Sequence, residues 1–354
     1  MKRGIVIHSP RSGRSAQLNQ ALEALQQNNI DVVDHFPITE LDTLPKQGQK
    51  WQEEGIELVI AAGGDGLVGG VTAHLVNTQL PLGIIPLGTA NDVARTVGIP
   101  IDPVRAAEVV ATGIIKKIDL GVAQPAEQQP HPTENIVIPP QEKMYFTHAL
   151  TVGLNVAFAR LATNRDIRQQ FGPMTYPVAV MEAVRNYSPI NVVIQLKGVA
   201  YHPTPGAPLE IYSKPVMLRC RAAQATVVNA PIFWGMLQAT VPGVSLQDRL
   251  LDVVVVEDIS LDQLMFRVAR FFTRQDHQPP NEQSWHAQYP ELLAAELTDV
   301  PGIHHFKAKS VTIDVEGAPH DATLDGEVRG QTPIFARVAD ENISLIVPAT
   351  ATIQ

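Results

Sequence analysis

Short apolar runs alternating with helical stretches fill the first third of the chain. Residues 4–8, 30–36, 56–62 and 82–86 are compact and apolar. Between and after them, residues 16–27, 46–54, 67–77, 92–97 and 103–112 carry helical spacing. Apolar strands that alternate with helices predict a parallel sheet covered on both faces. The pattern changes after Gly121. Residues 123–142 hold five prolines and read as an extended, solvated excursion. Strand-like runs then dominate, at 145–152, 191–196, 216–221, 226–230, 251–257, 310–315, 334–338 and 343–347. Turn residues separate them, which predicts an antiparallel β-sandwich. One helix, 261–275, interrupts these strands, and a second polar, Pro-rich excursion covers about 276–302. The expected class is therefore α/β plus all-β. A parallel-sheet domain at 1–122 precedes a sandwich domain at 123–332.

Composition narrows the function. The length of 354 residues fits two domains at roughly 150 residues each. An apolar share of 45% against 18% charged residues excludes bulk disorder. The formal charge of −9 argues against a globally basic nucleic-acid binder, so no nucleic-acid partner is expected. Cys220 is the sole cysteine, which excludes an internal disulfide and zinc sites built from several thiolates. The apolar run after Lys2-Arg3 stops at His8-Ser9-Pro10, too short for a secretory signal, and no stretch approaches the ~18 apolar residues of a membrane span. The chain is expected to be cytoplasmic, with any membrane contact peripheral.

Two turns carry candidate chemistry. Gly63-Gly64-Asp65-Gly66 follows a strand and opens a helix. Glycines there let a phosphate approach the backbone, and the helix N-terminus offers free N–H groups. Pro86-Leu87-Gly88-Thr89-Ala90-Asn91-Asp92 joins the next strand to the next helix. In a parallel sheet both turns lie on one edge, where ligands bind. Asp65 and Asp92 would then share a crevice lined by backbone donors, and carboxylates suit Mg²⁺. Helix capping is the competing reading for Asn91 and Asp92. Residues 64–69 also satisfy G-x-G-x-x-G, but no acid ends the next strand, which discounts a dinucleotide fold. No Gly-Lys pair exists, so a Walker A loop is absent.

The pair GGDG and PLGTAND resembles the catalytic domain shared by diacylglycerol kinases, sphingosine kinases and bacterial lipid kinases. GGDG alone is shared with NAD kinases and phosphofructokinases. Ser9-Pro10-Arg11-Ser12-Gly13 resembles the family's opening Asn-Pro-x-Ser-Gly turn, and Asp119-Leu120-Gly121 its Asp-Leu-Gly. Residues 171–176, Asn229, Gly235, Pro242, residues 248–252 and Leu324-Asp325-Gly326-Glu327 follow the family pattern through the second domain. The resemblance implies a nucleotide domain whose sheet the chain's end, about 333–354, rejoins. It implies ATP contacts at Ser9, Gly13, Gly63, Gly64, Gly66, Gly88, Thr89 and Asn91. A Mg²⁺-linked carboxylate network is implied at Asp65, Asp92 and Asp119, and a general base at Glu327. A second, structural metal is implied at Asp248 and the Leu250 carbonyl. Read alone, Asp325-Gly326 is a hairpin turn, and Asp248 and Asp252 are a polar strand start.

Several positions depart from the family. Ser9 stands for Asn, Leu67 for Thr, Gly69-Gly70 for Asn-Glu, Ala90 for Gly, and Arg249 for the Gly of Asp-Gly-x-Leu-Asp. The acids all remain, which favours retained catalysis. The expected activity is an ATP-dependent lipid kinase with Mg²⁺, taking diacylglycerol first among acceptors. A kinase of a soluble acceptor such as NAD, and a non-catalytic nucleotide or lipid sensor, are the alternatives. Lipid would be met at a membrane surface, and a homodimer stays open. Arg267, Arg270 and Arg274 line one side of the helix at 261–275, which reads either as a basic amphipathic membrane contact or as a helix packed on the sandwich. Arg160, Arg165 and Arg168 form a further basic group read as solvated, and the histidines show no ligand spacing.

Overall fold

A computed structural model of the protein describes residues 1–10, 12–41, 43–44, 46–126, 143–163, 179, 182–183, 185, 188–203, 207–233, 239–258, 270–271, 295, 297–298 and 300–351. The elements of the first unit are β1 (Lys2–His8), α1 (Leu18–Gln27), β2 (Ile30–Pro37), α2 (Ile38–Leu41), α3 (Gly48–Glu53), β3 (Leu58–Gly63), α4 (Asp65–Leu75), β4 (Leu82–Pro86), α5 (Asp92–Thr96) and α6 (Pro103–Thr112). β1 pairs in parallel with β2 and β3, and β3 with β4, giving the order β2-β1-β3-β4. Every residue of β3 and β4 is buried. Burial on both faces is why these strands read as unbroken apolar runs. Local signals set the helix ends. The Asp102 carboxylate accepts from Arg105 N at 3.0 Å and Pro103 opens α6, an N-cap followed by a residue with no N–H to satisfy.

The second unit comprises β5 (Ile114–Pro125), β6 (Met144–Phe146), β7 (Ala149–Gly153), α7 (Leu154–Thr163), β8 (Ile190–Tyr201), β9 (Glu210–Tyr212), β10 (Val216–Val228), β11 (Ile232–Phe233), β12 (Ala239–Thr240), β13 (Leu251–Glu257), β14 (Ile303–Val315), β15 (Asp321–Leu324), β16 (Glu327–Gln331) and β17 (Ile334–Val347). β10 pairs with β8 along its first half and with β7 and β13 along its second. β14 divides itself in the same way between β8 and β13. Long strands that change partners midway join the two layers of a sandwich.

Where the chain departs from the strand expectations, the cause is visible. The runs at 216–221 and 226–230 are one strand, β10, and those at 334–338 and 343–347 are one strand, β17, with an irregularity between Val338 and Asn342. Conversely, 145–152 breaks into β6 and β7, because the backbone amides of Thr147 and His148 turn onto the Asp325 carboxylate. The excursion at 123–142 begins later than expected, since Ala123–Pro125 complete β5 against β17. Residues 127–142, the 171–176 segment, Arg165, Arg168, Gly235, Arg267 and Arg274 lie outside the described residues. So does the helix at 261–275, apart from Arg270, which is exposed, and Phe271, which is buried with Val228, Val254 and Ile303.

β17 positions the site. It runs antiparallel to β14 and β5, then meets β4 in parallel at Leu345 and Leu82. Its first half (Ile334, Ala336, Val338) enters the sandwich core. Its second half (Ile343, Leu345, Ile346, Val347) enters the core of the parallel sheet. β5 is shared in the same way, with Leu120 and Val122 in the latter core and Ala123 in the former. The sandwich is thereby joined to the parallel sheet through β5 and β17.

Candidate functional site

Three strand-to-helix turns meet at the C-terminal edge of β1, β3 and β4. Ser9 N donates to Ala62 O at 3.3 Å, Arg14 N to Leu87 O at 3.0 Å, and Leu87 N to Gly63 O at 3.0 Å. Gly64 and Gly88 lie back to back. A Cβ on Gly88 would overlap the Gly64 backbone and sit 2.7 Å from Asn91 Oδ1, while one on Gly13 would sit 3.3 Å from Thr89 Oγ1. Only residues without a side chain allow turns to approach so closely. The Arg14 guanidinium ties the turn after β1 to the backbone carbonyls of Pro86 and Ile101. Ser9, Gly13, Gly63, Gly64, Gly66, Gly88, Thr89 and Asn91 thus share one edge. Leu67 instead turns its side chain inward over Gly63 and is 5% exposed, so it contributes to the core of the turn.

Asn91 has φ 53°, in the left-handed region that Asn tolerates. Its side chain clamps the peptide of Gly88, accepting from Gly88 N at 2.9 Å and donating to Gly88 O at 2.8 Å. It makes no cap bond to α5. The acceptor at that helix end is Asp65, whose Oδ1 takes Val93 N at 2.9 Å. The first glycine turn therefore closes the second. Asp92 is buried at the start of α5, and its Oδ2 lies 3.8 Å from His148 Nε2. His148 was not among the candidate residues. Its only sequence signal is that Thr147-His148 interrupts an apolar run.

A hairpin from the sandwich closes the crevice. Asp325 (φ 49°) and Gly326 (φ 83°) form the two-residue turn between β15 and β16, with Leu324 opposite Glu327. Two residues with positive φ suit this tight turn type. The hairpin reading is therefore correct, and the turn also presents Glu327. The Asp325 carboxylate is buried. It accepts from Thr147 N at 2.9 Å, Thr147 Oγ1 at 3.0 Å, His148 N at 2.8 Å and Ala149 N at 3.1 Å. Burial pushes its pKa above the usual carboxylate value, against these donors and the nearby His148. Glu327 reaches the glycine turn. A Cβ on Gly66 would sit 2.8 Å from Glu327 Oε1, and one on Gly69 would overlap Asp325 Oδ2. Gly69 is thus required by the docked hairpin. Arg329 pairs with Glu327 Oε2.

The remaining acids stand apart. Asp119 is buried at 2% exposure, and its oxygens accept from Arg249 N at 2.8 Å, Arg249 Nη1 at 3.2 Å and Asn342 Nδ2 at 3.0 Å. Asn229 Nδ2 holds the Asp119 and Thr147 carbonyls at 3.1 and 2.8 Å. Asp248 Oδ1 accepts from Leu250 N at 3.0 Å, and its Oδ2 meets Lys307 Nζ at 2.6 Å. Lys307 also reaches Asp252 Oδ2 at 3.0 Å, and Asp252 Oδ1 meets His305 Nε2 at 2.7 Å. Desolvation opposes the Lys307 charge, but Asp252 and Asp248 outweigh it and hold the ammonium above the ordinary lysine value. Burial in turn keeps Asp248 above the carboxylate norm despite Lys307.

This geometry discriminates between the implied metals. Asp65 and Asp92 flank the glycine turns with carboxylate oxygens, the hard donors that Mg²⁺ takes one or two at a time alongside phosphate oxygens. Those two residues fit. Asp119 does not, because Arg249 and Asn342 engage both its oxygens. Asp248 and Leu250 do not either, because an ammonium already sits on Asp248 Oδ2. Among the described residues no cluster of three or more His, Cys, Asp or Glu side chains suits a metal ion.

Known proteins resemble this chain in sequence and in fold. Residues 3–123 match the family described as diacylglycerol kinase catalytic domain. Residues 149–281 match the YegS C-terminal NAD kinase beta sandwich-like domain. An uncharacterized protein of Synechocystis sp., sll0036, is 26% identical over 295 residues, and the match spans 83% of this chain but 56% of that protein. A diacylglycerol kinase of Bacillus subtilis is 25% identical over 339 residues, 94% of this chain and 92% of its own. A solved structure from Bacillus anthracis str. Sterne, provisionally named a diacylglycerol kinase, has the same fold, with a TM-score of 0.66 at 18% identity over 99% of each chain. Residues 3–123, which carry the glycine turns, therefore belong to the diacylglycerol kinase catalytic-domain family, and residues 149–281 to the YegS C-terminal sandwich-like family.

Proposed function

We propose that this protein is an ATP-dependent lipid kinase that moves the γ-phosphate to a lipid hydroxyl, with diacylglycerol as the first acceptor and phosphatidic acid as product. One observation carries the reading: Glu327, delivered by the sandwich, lies against Gly66 of the phosphate-type turn. A proton acceptor beside a phosphate cradle is what transfer to a hydroxyl needs. The turns after β1, β3 and β4 would hold the triphosphate by backbone N–H groups, with Asn91 fixing the peptide of Gly88. Asp65 and Asp92 would hold Mg²⁺, which supplies charge neutralisation at the phosphate oxygens. Glu327 takes the hydroxyl proton as the lipid oxygen bonds to the γ-phosphorus and the bond to ADP breaks. Arg329 orients the Glu327 carboxylate through their ion pair.

The lipid would be met from the membrane surface. No helix among the described residues is long and apolar enough to cross a membrane. The test is transfer of label from ATP, with Mg²⁺, to a panel of lipids in mixed micelles, beside Asp65→Ala and Glu327→Gln. Transfer to diacylglycerol that falls by ~10²-fold or more in Glu327→Gln is expected for loss of a general base. Label moving to NAD but to no lipid sinks the reading. Nucleotide binding without transfer to any acceptor would instead establish a sensor.

A further inference from the structure

The loop between β12 and β13 carries an acid that the family resemblance assigns to a structural divalent ion. In this chain the surroundings of that acid are closed by the protein's own cations. Lys307, from β14, places its ammonium 2.6 Å from Asp248 Oδ2 and 3.0 Å from Asp252 Oδ2. The other Asp248 oxygen is taken by Leu250 N. The next residue, Arg249, reaches the opposite way, to buried Asp119. Its φ of 60° lies in the left-handed region, where a non-glycine residue is disfavoured. The bond from Arg249 N to Asp119 Oδ2 and the guanidinium contact to Oδ1 hold it there. The loop carbonyl of Leu246 already accepts from Asp119 N at 2.7 Å.

We infer that this chain fastens the loop with Lys307 and Arg249 in place of a divalent ion, so that its fold needs no metal there. A divalent ion binds carboxylate oxygen at about 2.0–2.6 Å. At Asp248 Oδ2 it would meet an ammonium on the same oxygen, a like charge at close range in a half-buried setting. The two cations exclude each other. Lys307 also serves a second carboxylate, Asp252, which is 0% exposed and would otherwise be left buried with the His305 imidazole as its side-chain partner. The inference concerns the loop alone and does not depend on the proposed kinase activity.

Thermal unfolding of the full chain without nucleotide provides the test, so that Mg²⁺ bound with ATP does not contribute. The unfolding midpoint is expected to be the same in excess EDTA as in millimolar MgCl₂ or CaCl₂. Lys307→Met should lower the midpoint by several degrees in both. Asp248→Asn, which keeps the Lys307–Asp252 pair, should lower it less and leave the indifference to metal intact. A wild-type midpoint that rises with Mg²⁺ or Ca²⁺, and that loses this rise in Asp248→Asn, overturns the inference. So does a Lys307→Met protein as stable as wild type.

Discussion

Two glycines in α4 show how one residue type answers two different demands. At Gly69, alanine would gain roughly 1 kcal/mol of helix propensity. Its Cβ would overlap Asp325 Oδ2, an oxygen fixed by Thr147 N and Thr147 Oγ1. A fixed neighbour cannot yield, so overpacking wins, and Gly69→Ala should destabilise the protein by about 1–2 kcal/mol net in urea unfolding. At Gly66 the neighbour is the end of the half-exposed Glu327 side chain, which can swing away. Gly66→Ala should therefore fold with near wild-type stability yet lose most of the proposed kinase activity. Loss of both or of neither would refute this division. Cys220 yields a separate expectation. Burial pushes its thiol up to about 12, leaving almost no thiolate at neutral pH. Its alkylation by iodoacetamide at pH 8 should be far slower in the native protein than in urea.

The β15–β16 hairpin is the element on which the site depends. Its turn is anchored by one carboxylate with four donors, from Thr147, His148 and Ala149. Asp325→Ala would leave those donors buried without an acceptor. A loss of roughly 3 kcal/mol or more is expected, read as a lower urea midpoint. Retention of wild-type stability would mean that the hairpin docks by other contacts. The β13–β14 pair carries a pH signature of its own. Lys307 is raised in the fold, so its contribution to stability is full below the ordinary lysine value of about 10.4 and is lost as pH rises through the higher folded value. The stability gap between wild type and Lys307→Met should stay constant through neutral pH and close on the alkaline side as Lys307 loses its proton.

Over the whole molecule, β5 and β17 contribute side chains to both hydrophobic cores. One core cannot lose these strands without exposing the other. Urea unfolding followed by far-UV circular dichroism and by the fluorescence of a variant that keeps Trp51 alone (Trp234→Phe with Trp285→Phe), Trp51 being buried in the core of the parallel sheet, should give coincident curves. Two separated transitions would show that the shared strands do not couple the cores. The same sharing keeps Glu327 in register with the glycine turns, since β17 continues from the hairpin into the sheet that bears them.

Periodicity and turn chemistry made much of this protein legible in advance. Unbroken apolar runs marked β3 and β4 because both faces of those strands are buried. The spacing of GGDG and PLGTAND placed two turns on one sheet edge, since parallel topology leaves no other arrangement. What no local pattern could show was which polar groups meet across the chain. Asn91 read as a cap, but Asp65, from a different turn, takes that role. His148 had no spacing to mark it, yet it stands beside Asp92. Asp119 and Asp248 read like the other acids, and only their partners distinguish them. Those partners, Arg249 and Lys307, lie 130 and 59 residues away in the chain. A carboxylate's chemistry is set by the nearest cation or donor, and for these residues distance in space is decided by tertiary folding alone.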